Sequence, residues 1–500
     1  MNSDRKVVLL FNPATWRGVG DATAPWGLMA LATYLHPDFE VLLLDHRFDA
    51  HWPQETRRLL STGRVVAAAA TAMTGLQIRS SLSFLRWVKR HSDVPTFFGG
   101  MHASMLPVQT VGEPSIDFVV VGEGETVFNA AIRRLADGKP LEGWGGSDAI
   151  VWKGKSDYRF AVENDLDALP FPPVELFPLE RYITATRYGR MLSVLTSRGC
   201  PHGCHFCIHS NPKLPRKWRA VDAHRALQWM DHLHQKYRVD HFHIQDDNFF
   251  VNTHRVQALV DELLETPRKY TFTIGGAHIQ HLRRFDEAFF LTLKKVGCTR
   301  LLIGAESGSQ AILDRIGKHQ TMEDVRVVNR HLLASGIRPI YSFVCGIPDE
   351  TDEDLKASVS LMKELRQENR EVDVGTIKPL IFYPGTSFYQ WALDHGYKPP
   401  MSLEGWTHVS WDHYLELPYP WLSQERKKFL LDLYYTSLLW NPEYHWVNSP
   451  LFTWPARALM PLTDWRMRHL EFRGSLLPSL LRLVQHKALS RPVDTPELKG

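Results

Sequence analysis

The stretch Cys200-Pro201-His202-Gly203-Cys204-His205-Phe206-Cys207 decides how the rest of the chain is read. It holds three of the chain's five cysteines; the other two, Cys298 and Cys345, stand alone. Thiolates at Cys-x3-Cys-x2-Cys spacing can close on one metal centre without help from distant parts of the chain. They fall one short of the four ligands used by a structural zinc or a fully protein-ligated iron–sulfur cluster. A [4Fe–4S] cubane held by three cysteines keeps one iron open, and chemistry happens at open positions. Zinc stays an alternative if His202, His205 or His209 adds a fourth ligand. So sparse and odd a cysteine count disfavours a disulfide framework. Pro201 and Gly203 break regular structure, and residues 193–196 read as a strand running into the loop.

With its lead-in, Thr196-Ser197-Arg198-Gly199-Cys200-Pro201, the stretch resembles the cluster loop of the radical S-adenosylmethionine (SAM) enzymes. The resemblance implies that Cys200, Cys204 and Cys207 hold a [4Fe–4S] cluster. It also implies that the open iron takes the amino and carboxylate groups of SAM, and that electron transfer cleaves SAM to a 5′-deoxyadenosyl radical. Phe206, the aromatic before the last cysteine, belongs to the same pattern and is expected beside SAM.

Downstream, short apolar runs alternate with helical periodicity. Strands are expected at 239–245, 270–274, 300–305, 339–344 and 373–378, with helices between them and Gly336 as a C-cap. With the strand before Cys200 this makes six β/α units. A partial (β/α)6 barrel fits better than a full eightfold one and is the fold the resemblance implies; catalysis belongs at the carboxyl ends of its strands. Asp246 and Asp247 follow the second strand and can accept hydrogen bonds from the SAM ammonium or cap the next helix. Glu306 and Ser307 follow the fourth strand, with Glu306 suited to ribose hydroxyls. Gly346, after the fifth, opens a segment that resembles the family's adenine-packing element. Glu350 and Thr351 within it can equally cap a helix.

Upstream, strands at 7–11, 41–45, Val65–Thr71, 96–100 and 117–121 alternate with helices at Trp26–Leu35 and 76–90. Apolar strands separated by helices imply a doubly wound parallel sheet, with its ligand at the carboxyl ends of the strands. Gly99-Gly100-Met101-His102 and Gly122-Glu123-Gly124-Glu125 lie at two such ends, where glycine lets a large ligand approach the backbone. In this order before the cysteine loop, and with Asn12-Pro13 and Pro25-Trp26-Gly27-Leu28, they resemble the cobalamin-binding domain fused to many radical SAM enzymes. The resemblance makes Asn12, Gly99, Gly100, His102, Gly122, Glu123, Gly124 and Glu125 the expected cobalamin contacts. No Asp-x-His-x-x-Gly motif occurs, so no histidine is expected on cobalt, and His102 reads as a tail-pocket or turn residue.

The expected organisation is 1–140, cobalamin-binding domain; 141–188, linker; 189–400, radical SAM barrel; 401–500, an aromatic-rich, mostly helical region. This last region reads as a cap on the barrel, with a substrate lid or a membrane-lying surface as alternatives. Composition is that of a soluble globular protein, 44% apolar and 23% charged, and a net charge of +3 speaks against a general nucleic-acid binder. No signal peptide is read at the start, and no run reaches the ~18 apolar residues that span a membrane. Few cysteines and an oxygen-sensitive motif point to a reducing cytoplasm, with peripheral membrane contact left open.

Together the two resemblances imply a C-methyltransferase: a deoxyadenosyl radical activates a carbon, and methylcobalamin supplies the methyl group. A second SAM would remethylate the cobalt. An apolar small-molecule substrate and an electron donor such as flavodoxin or ferredoxin are the expected partners. No residue stands out as an acid–base catalyst. Oxidative cyclisation or rearrangement with the same cofactors is the alternative, followed by a non-catalytic regulator.

Overall fold

Apolar runs with buried faces build two parallel sheets. The computed structural model describes residues 5–14, 23–146, 148–214, 216–440 and 450–472. The first sheet contains β1 (Val7–Asn12), β2 (Glu40–Asp45), β3 (Val65–Thr71), β4 (Thr96–Gly99), β5 (Phe118–Val120) and β6 (Ile150–Trp152) in the order β2-β1-β3-β4-β5-β6. The first five strands are parallel. Residues Val7 to Phe11 are fully buried, as a strand covered on both faces requires. The order reverses between β1 and β3, and a doubly wound sheet holds its ligand in the crevice at such a switch point. One covering helix, Trp52–Leu60, went unread in the sequence because it is short and polar, burying only Trp52, Thr56 and Leu59.

The stretch 141–188, read as a linker, contributes a strand to each sheet. β6 pairs antiparallel with β5, and β7 (Thr184–Thr186) forms a hairpin with β8 (Gly189–Val194). Between them Phe171 stacks on Trp229 at 4.6 Å, so the proline-rich segment is fastened to the second half.

A two-residue ladder, β9 (Ser197–Arg198) with β10 (Arg219–Ala220), closes the base of the cysteine loop. Beyond it run β11 (His241–Ile244), β12 (Thr271–His278), β13 (Cys298–Glu306), β14 (Arg338–Cys345) and β15 (Ile377–Pro379). With β8 they make six parallel strands in the order β15-β14-β13-β12-β11-β8, the half-barrel that six β/α units build. Gly336, at φ 71°, ends the helix Met322–Ser335 as expected.

The C-terminal region is mostly helical, with helices Gln424–Trp440 and Pro450–His469. Its first segment straps both halves together. Trp406 Nε1 donates to Gln109 Oε1 at 2.7 Å on the first half, and Trp411 Nε1 donates to Pro379 O at 2.9 Å on the second. Trp421 stacks on Tyr419 at 5.4 Å and meets Phe382 edge-on. Among the described residues no helix is long and apolar enough to cross a membrane. Trp446, one of this region's tryptophans, and residues 473–482 of the basic stretch 466–482 that suggests a membrane-lying surface lie outside the described residues.

Candidate functional site

A cavity of about 630 Å³ lies between the carboxyl ends of the two sheets. Asn12, Gly99, Gly100, Gly122, Glu123, Gly124 and Glu125 line it from the first half; Ser197, Arg198, Gln245 and Asp247 line it from the second. Small residues keep the space open at the strand ends: Ala69, Ala70 and Ala72 join Gly99 and Gly100 in its wall. Gly100 has φ 89°, and a Cβ there would sit 2.3 Å from Thr71 Oγ1. Only glycine fits that turn.

Of the expected cobalamin contacts, His102 alone falls outside the cavity wall. Its ring is fully buried, its Nδ1 lies 2.9 Å from Thr74 Oγ1, and its edge meets Trp406. Burial lowers its pKa to about 4, so the ring is neutral. His46 is buried too, with Nδ1 2.8 Å from Ser80 Oγ. Neither imidazole lines the cavity. The glycine-rich walls suit close approach of a large cofactor to the backbone.

Cys200, Cys204 and Cys207 are free thiols, Cys204 buried and the others half-buried. Burial pushes the Cys207 thiol up to about 12, and raises the other two. A metal centre must displace those protons. The three histidines near enough in sequence to complete a zinc site are each engaged elsewhere. His202 Nε2 lies 2.8 Å from His281 Nε2, His205 Nδ1 donates to Arg315 O at 2.7 Å, and His209 Nε2 lies 3.3 Å from Asp247. Among the described residues no three His, Cys, Asp or Glu side chains converge on a single-ion site. Three thiolates with no fourth donor fit a cubane, whose irons are held one to a thiolate.

The two aspartates after β11 have different tasks. Asp246 is buried and accepts four hydrogen bonds: from Thr196 N and Oγ1 at 2.6 and 2.7 Å, and from Ser197 N and Oγ at 3.0 and 2.6 Å. It fixes the strand leading into the cysteine loop, and no part of it lines the cavity. All four of these contacts serve to position that strand. Asp247 does line the cavity and accepts from Gly199 N at 2.9 Å. Burial opposes its ionisation, but the His209 hydrogen bond and charge, the Gly199 N–H and the Arg219 charge together hold the carboxyl below its usual range.

Glu306 is buried at φ 66°, its Oε1 3.0 Å from the Lys318 ammonium. Ser307 Oγ is buried 3.1 Å from Ser358 Oγ. Gly346, at φ 74°, donates its N–H to Glu350 Oε2 at 2.6 Å, and a Cβ there would meet Leu430 at 3.0 Å. These three therefore lie at the half-barrel's carboxyl ends with partners already in place, and none lines the cavity. Phe206 is half-buried against the core.

Four residues near the loop had no assigned role in the sequence. Asn248 Nδ2 lies 3.6 Å from Cys200 Sγ, and Lys318 balances Glu306. Arg198 and Arg219 are register partners in the β9–β10 ladder and meet Glu123 and Glu125 of the first half. Burial opposes ionisation of Glu123, but the Arg219 hydrogen bonds and the Arg198 charge hold its pKa below the usual range. Only the basic type of Arg198, next to the motif, hinted at such a partner.

Glu350 is the opposite case. Burial raises its carboxyl to about 8, and Oε1 has no protein partner. Between the unfolded carboxyl value and about 8 the folded state keeps a proton that the unfolded state has lost. Stability should therefore fall as pH rises through that window, at up to about 1.4 kcal/mol per pH unit. Glu350→Gln should flatten this slope in thermal unfolding measured from pH 5 to 8.5; an unchanged slope would remove Glu350 as its source.

Comparison with known proteins agrees with this geometry. Residues 194–362 match the radical SAM superfamily and residues 17–132 the B12 binding domain. The chain is a radical SAM enzyme with a B12-binding domain ahead of its radical SAM domain. These domains imply a [4Fe–4S] cluster, SAM and cobalamin as cofactors. An uncharacterised methyltransferase of Pyrococcus horikoshii is 26% identical over 81% of this chain and 86% of its own length. The anaerobic magnesium-protoporphyrin IX monomethyl ester cyclase of Rubrivivax gelatinosus is 23% identical over 71% of this chain and 65% of its own length. The cobalamin-dependent SAM radical enzyme OxsB, solved with aqua-cobalamin and SAM, superposes with a TM-score of 0.70 at 16% identity, covering 99% of this chain and 77% of that one. The last likeness is one of fold.

Proposed function

We propose that the protein is a cobalamin-dependent radical SAM C-methyltransferase acting on an unactivated carbon of a largely apolar small molecule. The observation that carries this reading is the shared cavity, walled by the glycine loops of one half and by the residues leading into the cysteine loop of the other. One space touching both cofactor regions suits transfer of a group between them. The Pyrococcus relative, similar along four fifths of the chain, supports the same class of reaction.

In this reading Cys200, Cys204 and Cys207 hold the cluster. Asp247, the aspartate that faces the cavity, accepts hydrogen bonds from the SAM ammonium, and Phe206 packs beside SAM. Glu306, Ser307 and Gly346 shape the nucleoside end. Asn12, Gly99, Gly100, Gly122 and Gly124 let the corrin cofactor approach the backbone. When bound, cluster and SAM supply a deoxyadenosyl radical and cobalamin a methyl group. The apolar substrate is suggested by Trp26, Phe171, Trp229 and Leu195 in the cavity wall. An external one-electron donor, such as flavodoxin or ferredoxin, completes the system.

The test is product analysis with reduced, reconstituted protein, SAM and cobalamin. Methyl transfer predicts 5′-deoxyadenosine and S-adenosylhomocysteine in step with a product one methylene unit heavier. Deoxyadenosine without S-adenosylhomocysteine would favour oxidative cyclisation, the reading that the Rubrivivax relative supports. No deoxyadenosine at all would leave a regulator. Lipid and pigment profiling of a deletion strain should identify the substrate by its missing methylene unit.

A further inference from the structure

The cysteine loop rises from the β9–β10 ladder, and there Arg198 and Arg219 stand directly opposite one another. Like charges facing across a ladder repel. Their ion-pair partners lie in the first half, while Asp247 of their own half acts on Arg219 only at longer range. Arg219 donates from Nη1 and Nη2 to Glu123 at 2.9 and 2.8 Å, and Arg198 Nη2 donates to Glu125 Oε1 at 2.6 Å. Arg198 Nη1 also lies 3.3 Å from Glu123. Arg219 and Glu125 are buried, so these pairs are weakly screened.

The glutamate loop has little freedom of its own. Gly122 holds φ 89°, and a Cβ there would lie 2.4 Å from Ala161 O. Glu123 also accepts Glu163 N at 2.8 Å. From the other side Asp246 and Asp247 hold Thr196, Ser197 and Gly199. The base of the cysteine loop is thus gripped from both halves. Glu123, Glu125 and Arg198 also line the cavity, so whatever fills it presses on the groups that place the cysteines.

We infer that Glu123, Glu125, Arg198 and Arg219 are positioning residues that couple the two cofactor sites: cobalamin in the cavity favours the cysteine-loop geometry that holds the cluster, and the cluster tightens cobalamin binding. This rests on the cobalamin reading of the cavity. Coupling of binding energies is reciprocal, so either direction can be measured.

The experiment is anaerobic titration of the full-length protein with cobalamin, followed by absorbance. It compares cluster-loaded protein with a cluster-free Cys200→Ala/Cys204→Ala/Cys207→Ala variant. The Kd for cobalamin should be about 5–150-fold tighter with the cluster, the usual range for coupled sites. In Glu125→Gln the ratio of the two Kd values should fall towards one, whatever change the substitution makes to the cluster-free Kd itself. Arg198→Lys keeps the charge but loses the planar fork, and should show an intermediate ratio. It also serves if Glu125→Gln does not fold. A ratio near one in the parent protein, or an undiminished ratio in both variants, would overturn the coupling. Absence of cobalamin binding in every form would instead overturn the cobalamin reading beneath it.

Discussion

Cys204→Ala should lower bound iron after reconstitution and reduce 5′-deoxyadenosine formation from SAM to the no-enzyme background. Cys204 is the buried member of the three, and the loop offers no substitute donor, because His202, His205 and His209 are each held by other partners. A cubane with one thiolate missing exposes a second iron to solvent and loses the single open position that SAM requires. Cys298→Ala is the matched control. Cys298 is fully buried in β13 and its thiol points to Arg300 O, so its loss should cost packing alone and leave the iron content unchanged. A Cys204→Ala protein with a full cluster and normal SAM cleavage would remove the central assignment.

Glu306→Gln should destabilise the protein even with no SAM present. Glu306 and Lys318 form an ion pair with 8% and 7% of their side chains exposed. Removing one partner strands the other charge in the interior, at a cost of about 3–5 kcal/mol. Burial pulls the lysine pKa down, but the Glu306 charge and hydrogen bond, together with the nearby Cys204 and Cys207, outweigh it and raise the pKa. A Glu306→Gln/Lys318→Met double variant removes both charges and should recover much of the loss. Thermal unfolding without SAM separates the two roles of Glu306. A residue that only held ribose would leave the SAM-free midpoint unmoved, and that result would defeat the ion-pair account.

The architecture was legible because its signals are local. Period-two and wholly apolar runs marked all five parallel strands of the first sheet and all six of the half-barrel, and Gly336 announced a helix end. Missed elements included the polar helix Trp52–Leu60 and the three-residue β6, whose local signals are weak, and also the helix Glu125–Ala136, whose apolar spacing at Phe128, Ala131 and Ile132 was there to read. The site was legible in composition more than in connection. The cysteine spacing and the glycine loops could be read directly. Which aspartate faces the cavity could not, because Asp246 and Asp247 are adjacent and differ only in what lies opposite each. Nor could the pairing of Glu123 and Glu125 with two arginines far along the chain, which exists only once two sheets are docked. His102 reads in the sequence as a tail-pocket or turn residue, and which way its ring faces was not legible there: it turns back into the protein towards Thr74 and Trp406.

The segment after Pro400 bears on how relatives of this enzyme can be recombined. Trp406 reads the surface of the first half through Gln109, and Trp411 reads the second through the end of β15. A chimaera that exchanges only the B12-binding half would confront Trp406 with a foreign surface, and one that exchanges only the half-barrel would do the same to Trp411. Crossover points that respect the two sheets are therefore insufficient. The strap is a shared part, and its two tryptophans must be matched to whichever halves they join.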